Sequence, residues 1–323
     1  MAHGGTKVVL AALFANLGIA ILKLVAAIFA RSAAMFAEFA HSIADTGNQV
    51  FLLLGIKRSQ KQADDRHEFG YGAENYFWAF IVAITMFTIG ATYSIYEGIH
   101  KVMHPGNAHD GDPRWAYAVL GGSMLLELFS LRTAWKEFKK IKAGRSLSET
   151  ISDARDPVVL IVLFEDLAAL VGLAVALVGI FLARQLDLAW VDGAASIVVG
   201  LVLLAVAVFA ARETKSLLLG ESVRRSDRDR IVEIVKAYPG IKRFINLRTM
   251  HIGPEDVIAA IKVVFPDDDR GADIARKTDE MEVLLRAELP LLRRIYIECG
   301  IDLEAASAAA RAAAGHSAQI DAQ

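Results

Sequence analysis

Residues 157–183 read PVVLIVLFEDLAALVGLAVALVGIFLA, and their only charged side chains are the adjacent Glu165 and Asp166. A helix needs about 20 mostly apolar residues to cross the hydrocarbon core of a bilayer, and this run exceeds that length. Working outward from it, comparable runs lie at 7–30, 33–56, 76–103, 115–135 and 189–211, which makes six. The excess of apolar residues, 54% of the chain against about 45–50% in soluble proteins, is concentrated in these runs. A wholly soluble enzyme, a disordered chain and a nucleic-acid-binding domain are thereby excluded. The net charge of −2 offers no basic field for phosphate. With Cys299 as its one cysteine, the chain has neither an intrachain disulfide framework nor a multi-cysteine zinc site.

Lys and Arg favour the cytoplasmic side of a membrane. The stretch 57–75 holds Lys57, Arg58, Lys61 and Arg66, and the stretch 136–156 holds Lys136, Lys139, Lys140, Lys142, Arg145 and Arg155. The alternate connections hold Arg31, then Lys101 and Arg114, then Arg184. The bias puts the first set and both termini in the cytoplasm, as six crossings require. The first run is too long, and too weakly basic at its flank, for a cleaved signal peptide. With no long targeting extension before it, a bacterial inner membrane is the expected residence.

The pattern changes near residue 213. Residues 227–237 form an amphipathic helix with Asp227 as its cap. Residues 243–251 and 256–265 are strand-like, with a Gly-Pro turn signal between them. Residues 272–288 read as a helix and 293–299 as a strand. The expected fold is a membrane α-helical protein: six transmembrane helices over 1–212, then a cytoplasmic ferredoxin-like α+β domain over 213–302 with the order αββαβ. The Ala-rich stretch 303–323 reads as a frayed or disordered tail.

Polar groups inside the runs carry the functional signal. A carboxylate at the bilayer centre costs at least about 2.5–3.5 kcal/mol, so it faces a bundle interior or a wet cavity. In AEFAHSIADTGNQ (37–49), His41 and Asp45 are four residues apart and share a helix face, with Glu38, Asn48 and Gln49 extending the polar stripe. At 1.5 Å per residue, His41, Asp45 and Asp166 all fall roughly 12–18 Å into the membrane. Imidazole and carboxylates at one depth suit a divalent transition metal. A buried network that merely locks two helices together is the competing structural reading.

Asn16 and Lys23, HSIAD at 41–45 with Asn48-Gln49, DDRHEFGYGAEN at 64–75, ARDP at 154–157, FED at 164–166, Asp192 and LRTMHIGP at 247–254 occur in this order. Together they resemble the cation diffusion facilitator family, over about residues 7–302, and most of all its branch containing an animal mitochondrial zinc transporter. The resemblance implies a homodimer in the lipid bilayer exchanging Zn²⁺ for protons, with no nucleic-acid partner and no enzymatic activity. Mn²⁺, Co²⁺, Ni²⁺ and Fe²⁺ stay open as substrates. It implies a transport site with paired residues on runs two and five. His41 and Asp45 match the first pair and Asp166 the second member of the other. The remaining position falls at Val162, which binds no metal. Glu165 is then a fourth ligand, a proton carrier or a supporting partner. Asp64 and His67 match ligands of a second, cytoplasmic metal site, in which Tyr71 replaces the usual third ligand. The strands AAIKVVF and IYIEC carry no histidine, so a two-metal site in the C-terminal domain is not expected.

Two other functional classes compete. One is an intramembrane metallohydrolase using the same residues to activate water, disfavoured because neither a HExxH pair nor a Gly-flanked serine is present. The other is a membrane metal sensor without flux. Asp192 reads as a helix cap, Glu127 has no assigned role, His104 and His109 read as solvated, and Tyr76, Trp78, Trp115 and Trp190 read as an interfacial belt.

Overall fold

The computed structural model describes residues 2–30, 33–104, 113–152, 154–188 and 190–301. The expected tail at 303–323, Arg31 and His109 lie outside them, and His41 is described only as a residue of its helix. Contacts divide the chain into two compact units, Met1–Leu219 and Gly220–Gln323.

The first unit is helical. Its elements are α1 (Ala2–Ala30), α2 (Ala33–Ser59), α3 (Glu74–Thr85), a π-helical turn (Met86–Ala91) running on into α4 (Thr92–Met103), α5 (Pro113–Lys142), the short α6 (Leu147–Ser152), α7 (Pro157–Leu186) and α8 (Trp190–Leu218). Among the described residues, four stretches are long and apolar enough to cross a membrane: Gly4–Phe29, Glu74–Met103, Pro157–Leu182 and Trp190–Leu218. The helices α2 and α5 are as long, at 27 and 30 residues, but more polar. Several helices overrun the apolar runs. Lys57 and Arg58 stand on the last turn of α2 and Lys139, Lys140 and Lys142 on that of α5, not in loops. Lysine and arginine are good helix formers, and a cation near a helix C-terminus meets its negative end.

The centre of this unit is α7. Pro157 occupies its first position, where no N–H is needed, and Asp156 Oδ1 accepts from the Val158 N–H at 3.1 Å. Residues 158–163 are all buried, which suits a helix that is apolar all round. They pack against Val8, Val9 and Ala12 of α1, Leu52 of α2, Val82 of α3 and Phe138 of α5. In α5 the pattern is inverted relative to a soluble helix. Leu125, Leu128 and Phe129 point outward, whereas Ser123, Glu127 and Ser130 are buried.

The seam between α4 and α8 is made of glycines. A Cβ on Gly98 would lie 2.7 Å from the Gly193 carbonyl oxygen, and one on Gly200 would lie 2.6 Å from Ile95 Cγ1. Small residues let membrane helices approach this closely, and dispersion contacts then hold them.

The second unit comprises α9 (Arg225–Ala237), β1 (Arg243–Gly253), β2 (Asp256–Val264), α10 (Gly271–Glu288) and β3 (Leu292–Cys299), the order αββαβ. The strands are arranged β1-β2-β3. β1 and β2 form an antiparallel hairpin, and β3 lies parallel to β2 with α10 as the crossover. Alternate residues of β2, namely Val257, Ala259, Ile261 and Val263, enter a core with Ile231 and Val235 of α9 and Met281 and Leu285 of α10. Asp227 is not the cap of α9. Arg224 holds that position in extended backbone, and Asp227 lies in the first turn, where a carboxylate meets the positive helix end. Tyr238 follows α9, and its hydroxyl donates to Glu280 Oε2 at 2.6 Å.

Two outcomes follow. Replacing Gly98 with Leu overpacks the α4–α8 seam and lowers stability by about 1–3 kcal/mol; thermal unfolding in micelles reads this as a reduced midpoint. Burial first, and then the Glu280 carboxylate, push the Tyr238 phenol up to about 12. Its folded-state value is raised, so its stabilising contribution is complete below the unfolded value of about 10 and is lost as pH rises through the folded one. An alkaline ultraviolet difference titration against Tyr238→Phe shows this ionisation late; ionisation near 10 would remove the hydrogen bond from the account.

Candidate metal centre

The two acids of α7 leave the helix toward different neighbours. Glu165 faces α2, where Asn48 Nδ2 donates to its Oε1 at 3.2 Å and Gln49 Nε2 to its Oε2 at 2.9 Å. Asp166 faces α5, where Ser130 Oγ donates to its Oδ2 at 2.6 Å. Consecutive residues diverge by about 100° on a helix, which separates the pair. The two acids are 9% and 2% exposed, so neither is solvated like a surface carboxylate. Each is anchored by protein donors, as a buried charge must be.

Asp45 lies half-buried on α2, one turn before Asn48 and Gln49, and its charge reaches Glu165. His41 lies one turn earlier on the same helix. Val162, the position without a ligand, is fully buried in the apolar core. Among the described residues no three His, Cys, Asp or Glu side chains form a group that could hold a metal ion. The structure therefore brings Asp45, Glu165 and Asp166 into one electrostatic neighbourhood without closing them on one point.

Glu127, which the sequence left without an assigned role, belongs to the same neighbourhood. It is 5% exposed, and Asp166, Glu165 and Asp45 all act on it electrostatically. The usable signal was spacing: Ser123, Glu127 and Ser130 recur at i, i+4 and i+7 within an apolar run.

The loop after α2 is tightly knotted. Asp64 Oδ1 accepts from the backbone N–H of Arg66 at 3.2 Å and of His67 at 2.9 Å. Its Oδ2 accepts from Lys61 Nζ at 2.7 Å and from the Tyr71 hydroxyl at 2.8 Å. The His67 Nδ1 lies 3.7 Å from Asp64, and its ring packs on Tyr71. Gly70, at a φ of 80°, makes the return turn. The Lys61 ammonium, the Tyr71 hydroxyl and the His67 N–H hold the Asp64 carboxyl well below the usual carboxylate range. Asp64 and His67 thus lie side by side, with a lysine ammonium already on the carboxylate.

Two further expectations change. Tyr76 is fully buried rather than interfacial, its hydroxyl donating to the Arg155 carbonyl at 3.2 Å. Asp192 stands in the first turn of α8 and pairs with Lys101 Nζ at 3.1 Å.

The family model described as the cation efflux transmembrane domain matches residues 9–219. The chain belongs to the cation efflux, or cation diffusion facilitator, family. Members of this family are transporters, not enzymes, and the metallohydrolase reading has no support. The chain is 32% identical over 264 residues to a protein of Xenopus laevis named proton-coupled zinc antiporter SLC30A9, mitochondrial, covering 81% of this chain and 47% of the relative. The Homo sapiens protein of that name is 30% identical, covering 77% of this chain and 44% of the relative. Metal tolerance protein C4 of Arabidopsis thaliana is 30% identical, covering 68% and 48%. The chain spans about half the length of these curated relatives. A nickel-form C-terminal domain of MamM overlaps 24% of the chain and 96% of its own at 16% identity and a TM-score of 0.23, too slight a likeness to carry an argument. Two of these relatives are mitochondrial by name, so the expected bacterial inner membrane gains no support.

In this cation efflux protein, Gln49→Leu removes one of two amide donors from the buried Glu165 carboxylate. A loss of about 1–3 kcal/mol is expected as a lower unfolding midpoint; an unchanged midpoint would show that Glu165 does not depend on Gln49. Lys61→Met removes the largest influence on Asp64, and its carboxyl then titrates at higher pH. The loop order that Asp64 supports is present above the unfolded value near 3.9 and lost as pH falls through the folded one, so the variant loses it earlier on acidification. Carbon-detected NMR of the Asp64 carboxyl reads both values.

Proposed function

We propose that this cation efflux protein exchanges a divalent metal ion, zinc foremost, for protons across a membrane, using His41, Asp45 and Asp166 as metal ligands. The observation that carries this reading is the α7 acid pair, buried in an apolar bundle and divided between α2 and α5. Uncharged side chains could tether α7 to α2 and α5; two acids there, with Asp45 and Glu127 nearby, are charge kept at high cost for a cation. The relatives named proton-coupled zinc antiporters support the same reading.

Ligation needs a neutral imidazole and ionised carboxylates, so metal binding expels protons, and a proton-rich side favours metal release. Rocking of helices about a midplane site would expose it to each side in turn. Glu165, committed to two amides of α2, is read as the residue that holds α7 to α2 beside the metal. Asp166 keeps Oδ1 and further lone pairs for an ion while Ser130 occupies Oδ2. Imidazole with carboxylates suits Zn²⁺ and also Co²⁺, Ni²⁺ and Fe²⁺, whereas carboxylates alone would favour Mn²⁺. We read the helices as six crossings with both termini in the cytoplasm, and the C-terminal αββαβ unit as a ferredoxin-like dimerisation domain of a homodimer. For the 64–71 loop we favour a fold that needs no metal, because Lys61 already neutralises Asp64.

The test is uptake of Zn²⁺, Mn²⁺, Co²⁺ and Fe²⁺ into sealed proteoliposomes with a pH dye inside. Uptake with matching proton movement, abolished by Asp45→Ala in a protein that still assembles, is the expected result. Normal flux in Asp45→Ala would sink the proposed ligand set, and binding without flux under any gradient would replace the transporter with a sensor. Ser130→Ala, which removes the donor that orients Asp166, is expected to weaken half-saturation by about 10–100-fold.

A further inference from the structure

α5 carries polar side chains that the ligand set above does not use. Ser123 and Glu127 are four residues apart, so they stack on one helix face, and Ser130 continues that face toward Asp166. Ser123 is 0% exposed and Glu127 is 5% exposed, yet among the described residues Ser123 Oγ and Glu127 Oε2 find no hydrogen-bond partner. The other face of the helix is apolar and open, with Leu125 at 71% and Phe129 at 61%. Among the described residues, the charged groups foremost around Glu127 are Asp166 and Glu165 of α7, Asp45 of α2 and Lys23 of α1, three anions and one cation.

Buried polar atoms are almost always satisfied by protein, ordered water or an ion. Here the orphaned atoms are a carboxylate oxygen and a hydroxyl, both oxygen donors, in a region with surplus negative charge. That chemistry accepts a hydrated divalent cation. A hydroxyl, Ser130 Oγ, stands one turn from Glu127 and touches Asp166.

We propose that Glu127 Oε2 and Ser123 Oγ form a second station for the divalent cation on α5, beside Asp166 and separate from the His41–Asp45–Asp166 set. The ion is held there by two protein oxygens and its own water, and Ser130 spans the step to Asp166. The station rests on the transport reading for its role in flux, but not for its existence as a binding site.

The experiment is equilibrium metal binding by the detergent-purified full chain, with Zn²⁺ and Mn²⁺ as probes, followed by flux in proteoliposomes. The wild type is expected to bind in two steps. Glu127→Gln weakens the weaker step tenfold or more and leaves the tighter, Asp45-dependent step in place; Ser123→Ala weakens it about threefold. Should Glu127→Gln lose its helicity or aggregate, Ser123→Ala carries the test. A single step in the wild type overturns the station, as does a Glu127→Gln titration identical to wild type. So does a Glu127→Gln protein with intact metal binding and an altered proton count, which would make Glu127 a proton carrier. Two steps without flux in the wild type would overturn the transport reading and leave the station standing.

Discussion

A carboxylate cannot stand alone inside an apolar helix bundle, and the arrangement of α2, α5 and α7 answers to that constraint. Glu165 draws on two amides of α2, and Asp166 draws on a hydroxyl of α5. Because consecutive side chains diverge around α7, one acidic dipeptide tethers two different helices. The apolar stretch just before it, 158–163, is buried throughout and fixes where α7 sits, so the acids are presented at a set height and angle. Packing supplies the position, and hydrogen bonds make the charge tolerable there.

The same constraint explains the inversion of α5. In a soluble bundle its leucines would face the core and Glu127 would face water. Here Leu125, Leu128 and Phe129 are outward and the serines and glutamate are inward, Ser130 on Asp166 and Glu127 beside the acids of α7. The seam of α4 and α8 needs no such partners, and glycine backbones meet there at van der Waals distance. One side of the unit is thus held by shape and the other by polar contacts.

Much of this was legible in the sequence. The long apolar runs and the αββαβ order are periodicity signals, strong wherever a helix or strand has a distinct apolar face. Asp45, Glu165 and Asp166 announced themselves by being charged within apolar runs. What escaped depended on tertiary partners. Helix ends overran the runs because lysines prolong a helix that apolarity alone would end. Tyr76 resembled an interfacial anchor until the Arg155 carbonyl gave its hydroxyl a buried partner. Glu127 carried no motif, and its meaning came from the acids on α2 and α7 around it. Lys61 was read as one more loop charge, and only the fold put its ammonium on Asp64.

The π turn at Met86–Ala91 also left no trace in the apolar pattern. Within it the Thr92 N–H reaches back five residues to the Phe87 carbonyl, so one residue more than an α-helix would use is spent on the turn. Before it, α3 lies against α2 and α7 as well as α8; after it, α4 keeps company with α8. The extra residue therefore sets the phase of everything that follows. With one residue fewer, positions 92–103 would turn by about 100° about the helix axis, and Gly98 would no longer look at Gly193. A single surplus peptide in mid-helix is what keeps the glycine seam in register.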